Sequence, residues 1–188
     1  MKRLFIISAV LMLAATTLAA QESPKRYGIK SGEFKTVTEV MGQKVNSHTW
    51  FDNYGALSRS DESSMGISIT TLLKDGKTYM VDTADKRVQE MPVKESINYL
   101  DLNEDVIAKY KVSEAGTDVV SGKECIKYSL EVTEMGQTTN LTVSVWQGFP
   151  MKTVTSFGGM EITVTITEIT ECEVDPTVFE IPEFYTCQ

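Results

Sequence analysis

The sequence predicts a mainly β (α+β) fold, built on one large, strongly twisted antiparallel sheet with one covered face. Two observations predict it. From Gly28 onward, short runs of alternating apolar and polar residues follow one another, separated by turn residues such as Asp75-Gly76. This is the pattern of half-buried strands in a meander. The interval from Pro92 to Tyr110 instead has apolar residues three or four positions apart, which indicates one or two short helices.

Strands in the first half are predicted around tight turns. Their ranges are 33–41, 43–52, 65–73, 78–82 and a short run that ends at Met91. Within the helical interval, Asn103 precedes Glu104 and Asp105, which is typical of a helix N-cap followed by first-turn acids. We expect the helical interval to lie across a face or an edge of the sheet.

Strands in the second half show clearer alternation. Their ranges are 126–132, 141–146, 151–157 and 160–167. The last range has the strongest signal, because every second residue is apolar and most of the others are threonine. The apolar phase shifts at Ile169, which predicts a β-bulge after Glu168. The tail from Asp175 to Pro182 is expected to be extended.

The N-terminus has the order of a secretory signal peptide. Two basic residues precede an uncharged apolar run over residues 4–13, and small residues follow. The run is shorter than the roughly 20 residues of a membrane-spanning helix. We therefore expect a signal peptide over residues 1–20, cleaved between about Ala19 and Gln21. The remaining domain, residues 21–188, is expected to be periplasmic or secreted and soluble, with no lipid anchor and no membrane-spanning segment.

The charge balance disfavours nucleic acid as a partner. The chain carries 18 basic and 26 acidic side chains, for a formal net charge of −8. An acidic domain repels the phosphates of nucleic acids and anionic membrane surfaces. The sequence also contains no run of Lys and Arg residues of the kind that binds either of them.

The order of these signals resembles the exported outer-membrane lipoprotein-sorting (LolA-like) superfamily. The segment Trp146-Gln147-Gly148-Phe149-Pro150-Met151-Lys152 is similar to the family's strand-end phrase, and Asp175, Phe179, Ile181 and Pro182 are similar to its closing phrase. Residues 27–32 and 91–100 look like an uncharacterised exported subfamily of anaerobic Gram-negative bacteria. The resemblance covers nearly the whole domain.

The resemblance implies an incomplete β-barrel over residues 21–188, with short helices plugging its concave face and an apolar cavity that can receive acyl chains. On this basis the candidate ligand-binding residues are the apolar faces of the strands and of the helical plug: Val143, Val145, Ile162 and Val164, with Ile97, Leu100 and Ile107. The same residues serve equally well as ordinary core. The sequence therefore leaves two functions open. One is a carrier-like binding protein for a lipid or acylated ligand; the other is an envelope protein-interaction module with a filled core.

No catalytic or metal-binding pattern accompanies these features. His48 is the single histidine of the chain, and no Gly-x-Ser-x-Gly nucleophile elbow occurs. The acidic clusters lack the spacing of a calcium loop. We therefore expect no enzyme activity, no cofactor and no metal.

Two covalent modifications are open alternatives. Cys172 and Cys187 enclose the terminal tail, and a disulfide between them would contribute about 3 kcal/mol in the chain-entropy model; the alternative is that these two and Cys125 remain thiols. Asp82-Thr83-Ala84 matches a bacterial O-glycosylation pattern at Thr83, and the alternative is turn chemistry with Asp82 as an acceptor.

Overall fold

A computed structural model describes residues 24–64, 67–82, 84–92, 96–134, 137–157, 159–181 and 186–187 of the chain. The predicted signal peptide and the glycosylation candidate Thr83 lie outside these residues. Twelve strands form one sheet: β1 (Gly32–Val40), β2 (Gln43–Asp52), β3 (Leu57–Ser64), β4 (Ile67–Lys74), β5 (Lys77–Asp82), β6 (Arg87–Met91), β7 (Ser113–Val120), β8 (Lys123–Glu134), β9 (Gln137–Trp146), β10 (Phe149–Phe157), β11 (Met160–Glu171) and β12 (Thr186–Cys187). The single α-helix among the described residues is α1 (Glu104–Tyr110).

The sheet consists of two meanders joined by the pairing of β1 with β11. Its strand order is β12-β6-β5-β4-β3-β2-β1-β11-β10-β9-β8-β7, and every pair is antiparallel except β12 with β6. The order is linear, so β7 and β12 lie at opposite edges and the sheet does not close. The predicted fold class, a mainly β protein with an open antiparallel sheet, is confirmed.

The second meander is strongly curved. In the strand order, β7 and β11 are separated by three strands. Yet the hydroxyl of Ser121, just after β7, donates a 2.8 Å hydrogen bond to the carbonyl of Ile166 in β11. Since neighbouring strands are about 4.8 Å apart, a flat sheet would hold these two residues well out of reach. The sheet therefore curls until its edge approaches β11, which gives the incomplete barrel its concave side.

Different segments of the chain pack on the two faces of the sheet. On the helix-bearing face, Val143 and Val145 are buried among apolar residues of the segment that contains α1. On the tail-bearing face, the carbonyls of Val178 and Phe179 accept hydrogen bonds from Arg59 and Lys74. Because side chains alternate between faces, each strand contributes to both.

The tail and the second face differ from the sequence-based expectation. Residues 176–179 form a 3₁₀ turn instead of an extended segment, and Phe179 is buried. Leu72, Val81 and Val88, which share the tail-bearing face, are also buried. The expectation of a single covered face was therefore wrong. The sequence shows that the tail is partly apolar, but it does not show on which face of the sheet the Phe179 ring is buried.

Three strands were missed, including the two-residue β12, and one irregularity was found. Both β3 and β7 are rich in polar residues and lack apolar alternation. In β11, Glu168 pairs with Lys35 and Ile166 pairs with Thr36, so Thr167 has no partner. The bulge predicted after Glu168 is thus confirmed to within one residue.

Candidate functional site

Four of the predicted binding residues lie on the helix-bearing face. Thr153 of β10 pairs with Val143 on one side and with Val164 on the other, so these three side chains form one transverse row. Val145 and Ile162 belong to neighbouring rows of the same face, as alternation requires. The structure thus brings these four strand residues onto one surface.

The segment 96–112 crosses this face and borders an open cavity of about 610 Å³, the helix-side cavity. Ile97 and Tyr99 line it from the segment before α1, and Lys109 and Tyr110 line it from α1 itself. The opposite wall is formed by strand residues that are mainly apolar: Leu130, Val132, Leu141, Pro150 and Thr153. An apolar-walled cavity with a few polar groups is the usual form of a small-molecule site.

The predicted plug residues take three different places. Ile97 lines the helix-side cavity. Leu100 is 45% exposed and lies against Gly148, where a β-carbon would come within 2.8 Å of its Cγ. Ile107 is 41% exposed on α1. The periodicity of the segment identified its helical character but not which apolar residues turn inward.

The strand residues also divide into two groups. Val143 and Val145 are buried in a cluster with Leu130, packed against Tyr99 and Tyr110 among others. Ile162 and Val164 are half-buried farther along the same face. These four residues form the floor beside the cavity and are not among the residues that line it.

Local sequence explains how α1 is held. The Asn103 side chain accepts a 3.0 Å hydrogen bond from the amide of Val106, so the predicted N-cap is confirmed. Lys111 ends the helix in the left-handed conformation, with φ at 47°. No residue of α1 is fully buried, and Tyr110 is half-buried against the cluster of Leu130, Val143 and Val145. The residues of the segment between Pro92 and α1 that the structure describes are not helical.

The N-terminal segment closes one end of the site. The ring of Tyr27 stacks on Phe149 at a centroid distance of 4.1 Å and meets Phe51 edge-on at 5.2 Å. Phe51 and Phe149 are fully buried. Burial raises the pKa of Tyr27, and the charge of Arg26 partly opposes that shift. Sequence reasoning used Tyr27 only as part of a family phrase and missed its place in the core.

Tyr99 is a second aromatic residue whose role the sequence did not indicate. It lines the helix-side cavity and stacks on Tyr128 at 6.5 Å. Burial raises the pKa of Tyr99 to about 12. Its hydroxyl is therefore neutral at physiological pH and serves the cavity as a polar but uncharged group.

A polar cleft of about 490 Å³ opens on the tail-bearing face. His48 lies there with its Nε2 3.1 Å from a carboxylate oxygen of Glu33 and its ring 3.9 Å from that of Trp50. Asp61 accepts two hydrogen bonds from Arg59 and one from the Thr70 hydroxyl. The polar side chains thus form two separate hydrogen-bonded groups, His48 with Glu33, and Asp61 with Arg59 and Thr70.

The candidate modification sites stay predictions. Cys172 is exposed after β11, but the side chain of Cys187 lies outside the described part of the chain. Cys125 is buried, and burial raises the pKa of its thiol. In the structure, Asp82 accepts hydrogen bonds from the amides of Ala84 and Asp85, which is the turn chemistry considered for this segment.

Within the described ranges, no three His, Cys, Asp or Glu side chains group as metal ligands. In the same part of the chain, no helix has both the length and the apolar character needed to cross a bilayer.

Comparison with known proteins finds similarity in structure only. No family model and no curated protein matches the chain. An uncharacterized conserved protein from Thermus thermophilus matches with a TM-score of 0.61 and 8% identity, covering 85% of this chain and 90% of that one. A chain in the Pseudomonas aeruginosa MucA/MucB complex matches with a TM-score of 0.52 and 17% identity, covering 79% of this chain and 54% of that one.

These two similarities show the fold alone, and the present chain spans about half of the matched chain from the MucA/MucB complex. A putative outer membrane lipoprotein-sorting protein domain from Vibrio parahaemolyticus also matches, with a TM-score of 0.37 and 11% identity, over 82% of this chain and 91% of that one. It carries the name of the family that the sequence phrases resemble, but its score adds nothing to the argument on the fold.

Proposed function

We propose that this chain is an exported binding protein of the cell envelope that holds a hydrophobic or acyl-bearing ligand in the helix-side cavity. The observation that carries the proposal is the cavity itself, about 610 Å³ between α1 and strands β8 to β10. This volume falls within the roughly 300–1,000 Å³ of small-molecule sites. The secretory pattern at the N-terminus supports the envelope as its location.

The walls of the cavity favour an apolar ligand. Ile97, Leu130 and Leu141 offer aliphatic surface, and the Tyr99 and Tyr110 rings add apolar area with polar edges. Transfer of an acyl chain from water onto such surface is worth about 0.8 kcal/mol for each buried CH₂ group. The proposal requires no catalytic step, which agrees with the placement of His48 on the opposite face.

Filling the cavity tests the proposal. Thr153 lines the cavity from β10, and we expect Thr153→Trp to weaken binding of the uncharged dye Nile red by at least about tenfold, equivalent to 1.4 kcal/mol. Thr142 of β9 lies on the opposite face, next to the same part of the sheet, so Thr142→Trp is the matched control and should bind the dye normally.

Native mass spectrometry of protein purified without delipidation provides an independent measurement. We expect an additional mass in the range of an acyl lipid in the parent protein and in Thr142→Trp, and its loss in Thr153→Trp. Folded protein that carries no lipid and binds no dye would contradict the proposal.

An envelope protein-interaction module is the second candidate. Its supporting observation is the open edge at β7, where Val119 is 69% exposed. Unpaired strand edges can add a strand from a partner, and one structural match comes from a complex of two proteins. A photo-crosslinking residue at position 119 should then capture one specific envelope protein. The same residue at the exposed hairpin position 41, on another part of the sheet, should capture none. Equal labelling from both positions would count against this candidate.

A further inference from the structure

A second cavity of about 540 Å³ lies on the helix-bearing face, beside the first meander. Thr71, Leu73, Thr78, Met80 and Met91 line it from strands β4, β5 and β6. The register places Leu73, Thr78 and Met91 in one row with Ser58 and Phe51. Thr71 and Met80 lie in the neighbouring row of the same face, with Ser60. This second cavity and the helix-side cavity therefore open on the same side of the sheet.

Arg26 and Ser96 line both cavities. The Nη2 atom of Arg26 donates a 2.6 Å hydrogen bond to the Ser96 hydroxyl. The two residues are 70 positions apart in the chain, and together they form a bridge between the cavities. A ligand that occupied both cavities would have to extend across this bridge. The guanidinium of Arg26 would then lie beside the middle of the ligand.

The guanidinium of Arg26 can bind an anion. It has five N–H donors, and its side-chain hydrogen bond goes to a neutral hydroxyl. Among the described residues, no carboxylate forms an ion pair with it. This differs from Arg59, whose guanidinium is engaged by Asp61 through two hydrogen bonds. A half-buried guanidinium without an acidic partner is suited to bidentate binding of a phosphate or a carboxylate.

The backbone around Arg26 is held firmly. Its amide and that of Tyr27 both donate to the carbonyl of Tyr54, at 2.9 and 3.2 Å. Tyr54 and the preceding Asn53 both have positive φ, at 57° and 48°. Residues other than glycine rarely adopt such conformations, so the surrounding contacts must maintain this turn. The side chain of Arg26 therefore projects between the cavities from a fixed point.

We propose that the two cavities form one site for a diacyl anionic phospholipid, with the phosphate on Arg26 and one acyl chain in each cavity. The inference rests on the proposed function, because it assumes that the helix-side cavity takes an acyl chain. Two largely apolar compartments on either side of the Arg26 guanidinium, the one cationic group of the described residues that lines both, match two chains on either side of one anion. The net charge of −8 disfavours docking on an anionic membrane surface, but it does not remove this local, partly enclosed positive site.

Water-soluble short-chain ligands separate the contributions of the anion and of the second chain. We would measure displacement of Nile red by dioctanoyl phosphatidylglycerol, by uncharged dioctanoylglycerol and by octanoate. The parent protein should bind the phospholipid at least about tenfold more tightly than either of the others, a difference of 1.4 kcal/mol or more.

Three substitutions test the role of Arg26. Arg26→Gln should lower phospholipid affinity by about tenfold or more and leave dioctanoylglycerol unchanged. Ser96→Ala removes the bridge but keeps the charge and should preserve the preference for the phospholipid. Arg87→Gln removes the same charge at an exposed surface site and should also preserve it. If Arg26→Gln and Ser96→Ala lower the affinity for all ligands equally, Arg26 only stabilises the local structure and the proposal is wrong.

Two further variants test the second chain. Thr71→Trp fills the second cavity and Thr153→Trp fills the helix-side cavity. Each should weaken the phospholipid strongly while octanoate still binds to the cavity that remains open. Octanoate binding as tightly as the phospholipid, or Thr71→Trp leaving the phospholipid unaffected, would overturn the two-chain site.

Failure of this inference is distinguishable from failure of the proposed function. Nile red binding without a preference for the anionic lipid would overturn the inference and leave the proposed function standing. Absence of any dye binding in folded protein would overturn both.

Discussion

The ring of Tyr27 lies nearly parallel to that of Phe149, with centroids 4.1 Å apart and planes 7° apart. Tyr27 belongs to the segment before β1, whereas Phe149 begins β10. Their contact, together with the 2.9 Å hydrogen bond from the Gly28 amide to the Gln147 carbonyl, ties the N-terminal segment to the β9–β10 turn. This junction also places Arg26 between the two cavities.

Removal of the Tyr27 ring should destabilise the whole domain. We expect Tyr27→Ala to lower the free energy of unfolding by about 3 kcal/mol, because the substitution leaves a cavity among Phe34, Phe51 and Phe149. Tyr27→Phe keeps the ring and should change stability by less than about 1 kcal/mol. Urea denaturation followed by tryptophan fluorescence measures both. Equal stability of the two variants would show that the stack contributes little.

Gly148 should tolerate substitution much less well than another glycine in the same backbone conformation. A β-carbon at Gly148 would lie 2.3 Å from the Arg26 carbonyl oxygen, and φ there is +81°. We expect Gly148→Ala to cost at least about 3 kcal/mol of unfolding free energy.

Gly122 provides the matched control, since its φ is +75° and no atom lies within 4 Å of the corresponding β-carbon. Gly122→Ala should cost only the about 1–2 kcal/mol of a left-handed alanine. The difference between the midpoints of thermal unfolding then reports the close approach of the N-terminal segment. Equal midpoints would contradict that contact.

Alkaline pH should destabilise the domain through Tyr99. Burial raises its pKa from 10.0 to about 12, so between these values the unfolded chain releases a proton that the folded chain retains. The stabilisation is complete below pH 10 and is lost as the pH rises toward 12. We expect Tyr99→Phe to reduce the fall in unfolding free energy over this interval by about 1–2 kcal/mol.

Urea denaturation at several values of pH measures this fall, with Tyr79→Phe as a tyrosine control on the other face. Absorbance at the tyrosinate band tests the pKa directly. A Tyr99→Phe protein with the same alkaline profile as the parent would show that Tyr99 ionises freely.

Loss of the N-cap should loosen α1 without unfolding the sheet. Asn103→Ala removes the hydrogen bond to the Val106 amide and should destabilise the helix by about 1 kcal/mol. Since no residue of α1 is buried, the effect should remain local. We expect about fivefold faster hydrogen exchange at the Ile107 amide, which donates to the Asn103 carbonyl. Asn103→Asp keeps the cap and should exchange as the parent does; unchanged exchange in Asn103→Ala would refute a capping role.

Strands that are rich in polar residues, such as β3, could not be predicted from the alternation of apolar and polar residues. The β3 segment contains Arg59, Asp61 and Glu62 and has no apolar alternation, so the sequence did not predict it. It is a strand because β2 and β4 supply hydrogen-bonding partners on both sides. Within the strand, the carboxylate of Asp61 pairs with the guanidinium of Arg59 and also accepts a hydrogen bond from Thr70 of β4. The pairing partners, and not the intrinsic preference of the segment, decide its structure.

The sequence alone determined the features that depend on neighbouring residues. The alternation in β8, β9 and β11 predicted strands and placed Val143 with Val145, and Ile162 with Val164, on the same side of their own strands, because side chains in a strand repeat every two residues. The phase shift at Ile169 predicted a bulge after Glu168, and the residues from Asn103 predicted the helix N-cap. Each of these follows from backbone geometry within a few residues.

Only the tertiary structure decided what meets across the curved sheet. The seam at which β1 pairs with β11 joins residues more than a hundred positions apart, and the curl that brings Ser121 to Ile166 follows from the whole second meander. Which plug residues turn inward, Ile97 rather than Ile107, depends on the same curvature. So does the bridge between Arg26 and Ser96. Their contact arises because two distant segments cross one concave face, and no local periodicity records such a crossing.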